Sequence, residues 1–387
     1  MSDDNNVSVK KQDIHDDNQH VPELRFPGFT DEWNENRLDN IFKIKAAGDL
    51  NKNKFSKSKD KNHKYPVFAN ALENKGLLGY YTEFKYPSGS ITITARGNIG
   101  IPIKRNIEFN AVGRLLILIP KENLNISFFT SCLNNIHFYI ESTGVPQLTA
   151  PSLKIYKIKY PSIKEQKKIG DFISLIDRKI DLLEKTLCLH QKFIEGLKES
   201  IFSNLNYPKF KLNNFMKISK IKCNDNINKR LTVKLNLKGI VPRETKTTEK
   251  EGVTTQYIRK KGQFIYGKQN LYKGAFGIIP KELDGYMSSS DIPSFDFINN
   301  KLNPYWFYYF ISRKNYYSRL EKYSTGTGSK RISPEEFLNI KIPLPPIEKQ
   351  NNQVKMFNKL IERQNILIKE KEYLYNFKKG LLQKMFV

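Results

Sequence analysis

Adding 184 to a residue number carries Ile158 to Ile342, Pro161 to Pro345, Ile163 to Ile347 and Gln166 to Gln350. The same offset, without a gap, carries Phe193 to Phe377, Gly196 to Gly380, Leu197 to Leu381 and Phe202 to Phe386. A period this long means two copies of one structural unit. The repeat continues upstream with slippage. Leu124-Asn125-x-x-Phe128-Phe129 parallels Leu302-Asn303-x-x-Trp306-Phe307 at an offset of 178, and Ser142-Thr143-Gly144 parallels Ser324-Thr325-Gly326 at 182. A drifting offset implies loops of different length inserted into one scaffold. A chain built in halves is expected to hold or read something that also comes in halves.

Two long stretches, roughly 166–204 and 347–386, contain no proline and carry helical periodicity. In the first, Ile173, Ile180, Leu187, Ile194 and Ile201 form one column at seven-residue spacing, and Ile169, Ile176, Leu183, His190 and Leu197 form a second. That alternation is the seam of a coiled coil. The second stretch has Leu360, Leu367, Leu374 and Leu381, with Val354, Ile361 and Ile368 beside them, and Gln364, Lys371 and Lys378 at other seam positions. Two such helices in one chain most simply pair antiparallel, as a rod of about 55 Å at 1.5 Å per residue. His190 corresponds to Leu374 and reads as a polar residue that sets register, since no second ligand lies at metal-binding spacing.

Outside the helices the pattern is mixed, with strand-like runs such as Ser90–Thr94, Arg114–Pro120, Gly262–Gly267 and Phe276–Pro280 set between glycine turns. The expected class is α+β: two similar mixed α/β domains separated by two long helices paired as an antiparallel coiled coil. The expected divisions are a flexible tail at 1–20, a first domain at 21–165, a helix at 166–206, a second domain at 207–346 and a helix at 347–387. A composition that is 39% hydrophobic, with 20 Tyr and 25 Phe, can fill two such cores. Cys132, Cys188 and Cys223 are isolated and odd in number, which fits a reducing compartment better than a disulfide framework. With no signal-like N-terminus and no run of 18 apolar residues, a soluble cytoplasmic chain with no membrane contact is expected.

The 65 Lys and Arg against 39 Asp and Glu leave a net charge of +26, a field attractive to polyanions and above all to nucleic acid. Catalytic signatures are missing. Gly262-Gln-Phe-Ile-Tyr-Gly267-Lys268 imitates a phosphate-binding loop, but Gln269 stands where a hydroxyl is needed and the intervening residues read as a strand. HExxH, GxSxG, GxGxxG and the Asn/Asp-Pro-Pro-Tyr/Phe tetrapeptide of amino-methyltransferases do not occur. No catalytic residue, metal site or cofactor of its own is expected. Basic and polar loops are the better lead. Lys52, Lys54, Lys57 and Lys64 crowd one segment and suit phosphate contacts. Arg96 and Asn98 sit beside glycines on a turn after a strand, and these are side-chain types that read guanine and adenine edges. Gln147 follows the Ser142-Thr143-Gly144 turn, and Lys330 and Arg331 follow Ser324-Thr325-Gly326. Arg259, Lys260, Lys268 and Gln269 flank the second-half strand.

The ensemble resembles the specificity subunit of type I restriction–modification systems. The residues that carry the likeness are LRFPGFTDEW near the start, ITITARGNIG, KKGQFIYGKQN, the paired blocks KIKYPSIKEQKKIGDFISLIDRKI and NIKIPLPPIEKQNNQVKMFNKLIE, and the closing GLKESIF and GLLQKMF. The likeness covers residue 21 to the end. It implies two target recognition domains, each reading half of a split, asymmetric site in double-stranded DNA, with helices that set the unread gap. It also implies docking of two methylation subunits, which bring S-adenosylmethionine and methylate adenine, and of restriction subunits in the full complex. Two other readings stay open on the residues alone: a stand-alone DNA-targeted nuclease or methyltransferase, and a coiled-coil adaptor whose charge is incidental.

Overall fold

The computed structural model describes residues 21–138, 146–203, 205–224, 226–244, 252, 254–326 and 330–387. The expected tail at 1–20 and the Ser142-Thr143-Gly144 turn lie outside the described residues. The chain forms two compact units, one made of the residues up to Glu184 together with Glu370–Val387, the other of Lys185–Lys369.

In the first unit, β1 (Phe42–Ala46), β2 (Ser90–Thr94), β3 (Pro102–Arg105) and β4 (Leu115–Pro120) form an antiparallel sheet of order β1-β4-β2-β3. Successive strand residues face opposite sides. Ile91, Ile93, Leu116 and Leu118 therefore join one core, with Phe128, Phe129 and Leu133 of α1 (Ile126–Asn135), while Leu115 and Ile117 join another with Phe68, Tyr86 and Phe109. Both faces are covered, which is why every residue of β2 is buried. A smaller sheet orders Phe55–Ser56, Leu77–Tyr81, Tyr65–Phe68 and Asn110–Ala111. Lys157–Tyr160 pairs antiparallel with Asn34–Arg37 and leads into α2 (Ile163–Ser203).

The second unit repeats the plan. Its strands β5 (Met216–Ser219), β6 (Phe264–Tyr266), β7 (Phe276–Ile278) and β8 (Ser294–Phe297) run antiparallel in the order β5-β8-β6-β7, the same order as in the first unit. Helix α3 (Pro304–Ile311) packs Trp306 and Phe307 against Phe202, Phe264 and Phe337. Lys341–Pro343 pairs with Lys209–Lys211 and leads into α4 (Ile347–Met385).

The recurring motif now has a physical cause. Asn125 caps α1, its Oδ1 accepting from the Phe128 N–H at 2.9 Å, and its own N–H donates to Gln166 Oε1 at 3.1 Å. Asn303 caps α3, accepting from the Trp306 N–H at 3.1 Å and donating to Gln350 Oε1 at 2.8 Å. Each glutamine turns its amide back onto a proline carbonyl, Gln166 to Pro161 and Gln350 to Pro345, at 2.9 Å in both. Orphan N–H groups at a helix start need such partners, and buried ones need them most. Gly170 lets α2 approach this junction, since a Cβ there would lie 2.3 Å from Asn125 Oδ1.

The helices α2 and α4, 41 and 39 residues long, each extend about 60 Å. Ile169, Ile173, Ile176, Ile180, Leu183 and Ile194 of the expected seam are buried, as are Val354, Phe357, Leu367 and Leu381. Ile368 is an exception at 37% exposure, because the stripe of α4 that faces α2 passes through the half-buried Lys371 and Lys378 instead. Those lysines reach Glu184 at 3.4 Å and Asp177 at 2.5 Å on α2, so the partner numbers fall as the lysine numbers rise and the pairing is antiparallel. The repeated phenylalanines close the two cores alike. Phe386 packs 5.3 Å from Phe128, and Phe202 packs 5.6 Å from Trp306 and stacks on Phe357.

Candidate nucleic-acid interface

In the first unit the edge of interest is the turn that follows β2. Gly97 and Gly100 have φ of 71° and 84°, a region that costs other residues strain. Thr94 Oγ1 donates to the Asn98 carbonyl and accepts from the Ile101 N–H at 3.0 Å, so the loop is closed on its own strand end. Arg96 forms an antiparallel bridge with Gln147, and the Leu148 N–H donates to the Ala95 carbonyl at 2.9 Å. Arg96, Asn98 and Gln147, distant in sequence, thus come to one edge. Asn98 is exposed there, while Arg96 and Gln147 are half-buried.

Lys52, Lys54, Lys57 and Lys64 are exposed beside the strands Phe55–Ser56 and Tyr65–Phe68 of the smaller sheet. The strand Tyr65–Phe68 runs from Lys64 toward Asn70, whose side chain binds the Arg96 backbone. Lys54 pairs with Glu83.

The second unit builds the same edge with different side chains. The Ile332 N–H donates to the Lys268 carbonyl at 2.9 Å, as Leu148 does to Ala95. Lys268, Gln269 and Arg331 therefore come together, with Lys330 adjacent in sequence, and Gln269, Lys330 and Arg331 are exposed. Two acids temper this cluster: Asp291 lies 3.2 Å from Arg331, and Glu321 lies 2.7 Å from Lys330. Tyr266 Oη donates to the Ile332 carbonyl at 3.0 Å, and burial pushes its hydroxyl pKa up. Phe264, Ile265 and Tyr266 are all buried, which makes Gly262–Gly267 a strand between two turns and not a phosphate-binding loop. Lys260 is exposed at the start of this strand, on the far side from Lys268.

Arg259 departs from its expected role as a DNA contact. It is 1% exposed, and its guanidinium donates to Ser288 Oγ at 2.7 Å, to Ser294 Oγ at 3.0 Å and to the carbonyls of Ser219, Ser288 and Ser289. Burial draws its pKa down to about 10. A side chain closed into the interior with its donors occupied cannot reach a groove, so Arg259 braces the site from behind. Arg105 does the same in the first unit at 4% exposure, stacked 3.6 Å over Phe68, with its pKa drawn down by burial to about 10. Sequence reasoning missed Arg105, Asn70 and Asp291; only turn-forming composition around Asn70 hinted at a loop there.

Among the described residues, no group of three His, Cys, Asp or Glu side chains could hold a metal ion, and no helix is long and apolar enough to cross a membrane.

Comparison with known proteins identifies the architecture. The chain is 34% identical over 134 residues to a type I specificity subunit of Mycoplasma pneumoniae, a match covering 35% of this chain and 37% of that one. It is 32% identical over 151 residues to a second specificity subunit of the same organism, covering 36% and 45%. The match thus spans less than half the length of either relative. The type I restriction-modification S subunit from M. genitalium shares the fold, with a TM-score of 0.64 at 16% identity, over 95% of this chain and 99% of that one. The family model of the type I restriction modification DNA specificity domain matches twice, over residues 30–188 and 203–373. With one match on each half of the repeat, the chain belongs to the type I restriction modification DNA specificity domain family.

Proposed function

We propose that this chain is the non-catalytic, sequence-reading subunit of a type I restriction–modification complex, acting in the cytoplasm on double-stranded DNA. The observation that carries this is the matched edge. Each unit joins the turn after its central strand to the same place in its closing segment, Ala95 to Leu148 and Lys268 to Ile332, yet decorates that turn with different polar side chains. Arg96, Asn98 and Gln147 would read one half-site, and Lys268, Gln269, Lys330 and Arg331 the other. Lys52, Lys54, Lys57, Lys64 and Lys260 would contact phosphates, which position a protein without specifying sequence. Different side chains imply different half-sites, so the site is bipartite and asymmetric. In this reading residues 21–165 and 207–346 are the reading heads, and the helices at 166–206 and 347–387 set the number of unread base pairs between half-sites.

The helices also support two methylation subunits as partners. Exposed apolar positions recur at the 184-residue offset: Leu182 with Ile366, Leu189 with Tyr373, and Phe193 with Phe377. The first unit carries Leu182, Tyr373 and Phe377; the second carries Ile366, Leu189 and Phe193. Two equivalent sets of exposed apolar side chains fit two copies of one partner. Those partners would supply S-adenosylmethionine and adenine methylation, and restriction subunits would join the full complex.

Mapping methylated adenines in the host genome with and without this chain tests the reading. One bipartite motif should lose its methylation when the chain is deleted; an unchanged map contradicts it. Removing residues 180–186 together with 364–370 should alter the gap while both half-sites stay readable.

A further inference from the structure

Behind each reading turn lies a second layer that neither family membership nor the reading itself assigns. In the first unit the Asn70 carboxamide grips the backbone where the turn begins. Its Oδ1 accepts from the Ala95 N–H at 2.8 Å, and its Nδ2 donates to the Arg96 carbonyl at 2.6 Å. Asn70 rides on a loop closed by the Ala69 N–H to the Gly76 carbonyl at 2.8 Å. Gly76 has φ of 81°, and a Cβ there would meet the Ala69 carbonyl oxygen at 2.6 Å, so this closure needs glycine. Arg105, buried, donates to the Lys75 carbonyl of the same loop at 3.0 Å and to Thr92 Oγ1 of β2 at 2.9 Å. It ties the loop to the strand that feeds the turn.

The second unit reaches the same end by other means. The Asp291 carbonyl accepts from the Lys268 N–H at 2.9 Å, and Asp291 Oδ1 accepts from Arg331 Nη1 at 3.2 Å. Asp291 sits on a turn closed by the Ile292 N–H to the Ser289 carbonyl, and the buried Arg259 donates to the Ser288 and Ser289 carbonyls of that turn. A buried arginine thus stands behind a loop in both units, and that loop holds the backbone from which the reading side chains project.

We propose that Asn70 and Asp291 are positioning residues for base recognition, each fixing the reading turn of its own head, with Arg105 and Arg259 bracing the loops that carry them. A bidentate contact to a base edge depends on side-chain direction, and a misplaced supporting shell loosens a site without removing it. The proposal rests on the reading of Arg96 and Arg331 as DNA-facing.

The test replaces the chain in its host by full-length variants and compares adenine methylation at cognate sites with that at sites carrying one wrong base. Asn70→Asp keeps an acceptor for the Ala95 N–H but cannot donate to the Arg96 carbonyl, and it is nearly isosteric, so it accompanies Asn70→Ala should that variant fold poorly. Either substitution should lower discrimination in the first head's half-site at least about threefold, a part of the span expected for one bidentate contact. The second half-site should stay as it was. Asp291→Asn leaves the backbone bond to Lys268 in place and loses the charge pair, so it tests the side-chain hold on Arg331 and should relax only the second half-site. Discrimination unchanged in all three variants, or lost equally in both half-sites, overturns the proposal. Arg96→Ala separates the two levels. If it relaxes the first half-site while Asn70→Asp does not, positioning by Asn70 is wrong and the DNA reading stands. If Arg96→Ala also changes nothing, the reading fails as well.

Discussion

In the first head the turn after β2 is gripped by a side chain, the Asn70 carboxamide; in the second, the turn after β6 hangs from a backbone carbonyl, that of Asp291. Beneath those turns the four-stranded sheets have the same order and the helix caps match. Asn125 and Asn303 cap equivalent helices, Gln166 and Gln350 tie those caps to the long helices, and Phe386 and Phe202 seal the cores. Ile158 and Ile342, Gln166 and Gln350, and Phe202 and Phe386 recur at the 184-residue offset and pack into a core or hold a helix cap. The turns after β2 and β6 share a place in the fold and differ in their polar side chains. In the proposed reading, scaffold and address are therefore separable properties of one chain.

Substitutions can break that comparison. Phe128→Ala and Trp306→Ala remove equivalent fully buried rings, and each should cost about 3–5 kcal/mol. Hydrogen exchange read by mass spectrometry should show protection lost in the unit that carries the substitution. Loss spread evenly over both would deny that the heads are separate cores. Gln166→Ala and Gln350→Ala should each cost about 1–2 kcal/mol in chemical denaturation, since each leaves a half-buried cap N–H without its acceptor. Gln350 also donates to the Lys301 carbonyl at 2.9 Å, so its loss should be the larger of the two. Lys64→Ala should weaken DNA binding uniformly across sequences and reduce the slope of log affinity against log salt by about 1. A change in sequence preference would move Lys64 from the phosphates to the bases. Lys179→Ala removes an exposed pair with Glu370 at 3.1 Å and should cost less than about 1 kcal/mol in the same denaturation assay.

Much of the architecture was legible because its signals are local and periodic. The repeat, the seam of α2 and the strand-like runs all follow from spacing along the chain. Ile368 shows the limit: it keeps heptad spacing with Ile361 yet stands exposed, because the stripe of α4 that faces α2 follows the half-buried Lys371 and Lys378, which find acids on α2. The site was less legible. Arg259 reads as a surface cation, since arginines are rarely buried without a partner. Its burial is compensated by two hydroxyls and three carbonyls from segments up to 40 residues away, which no spacing rule encodes. Asn70 lies 25 residues from the amide it accepts, and only the folded sheet brings the two together.

The most direct measurement is the adenine methylation map of a host whose chain carries Arg96→Ala and Asn98→Ala together. One half of the bipartite motif should lose its base preference while the other half and the gap between them stay the same. If both halves change, or if neither does, two independent heads reading two half-sites is the wrong description of this molecule.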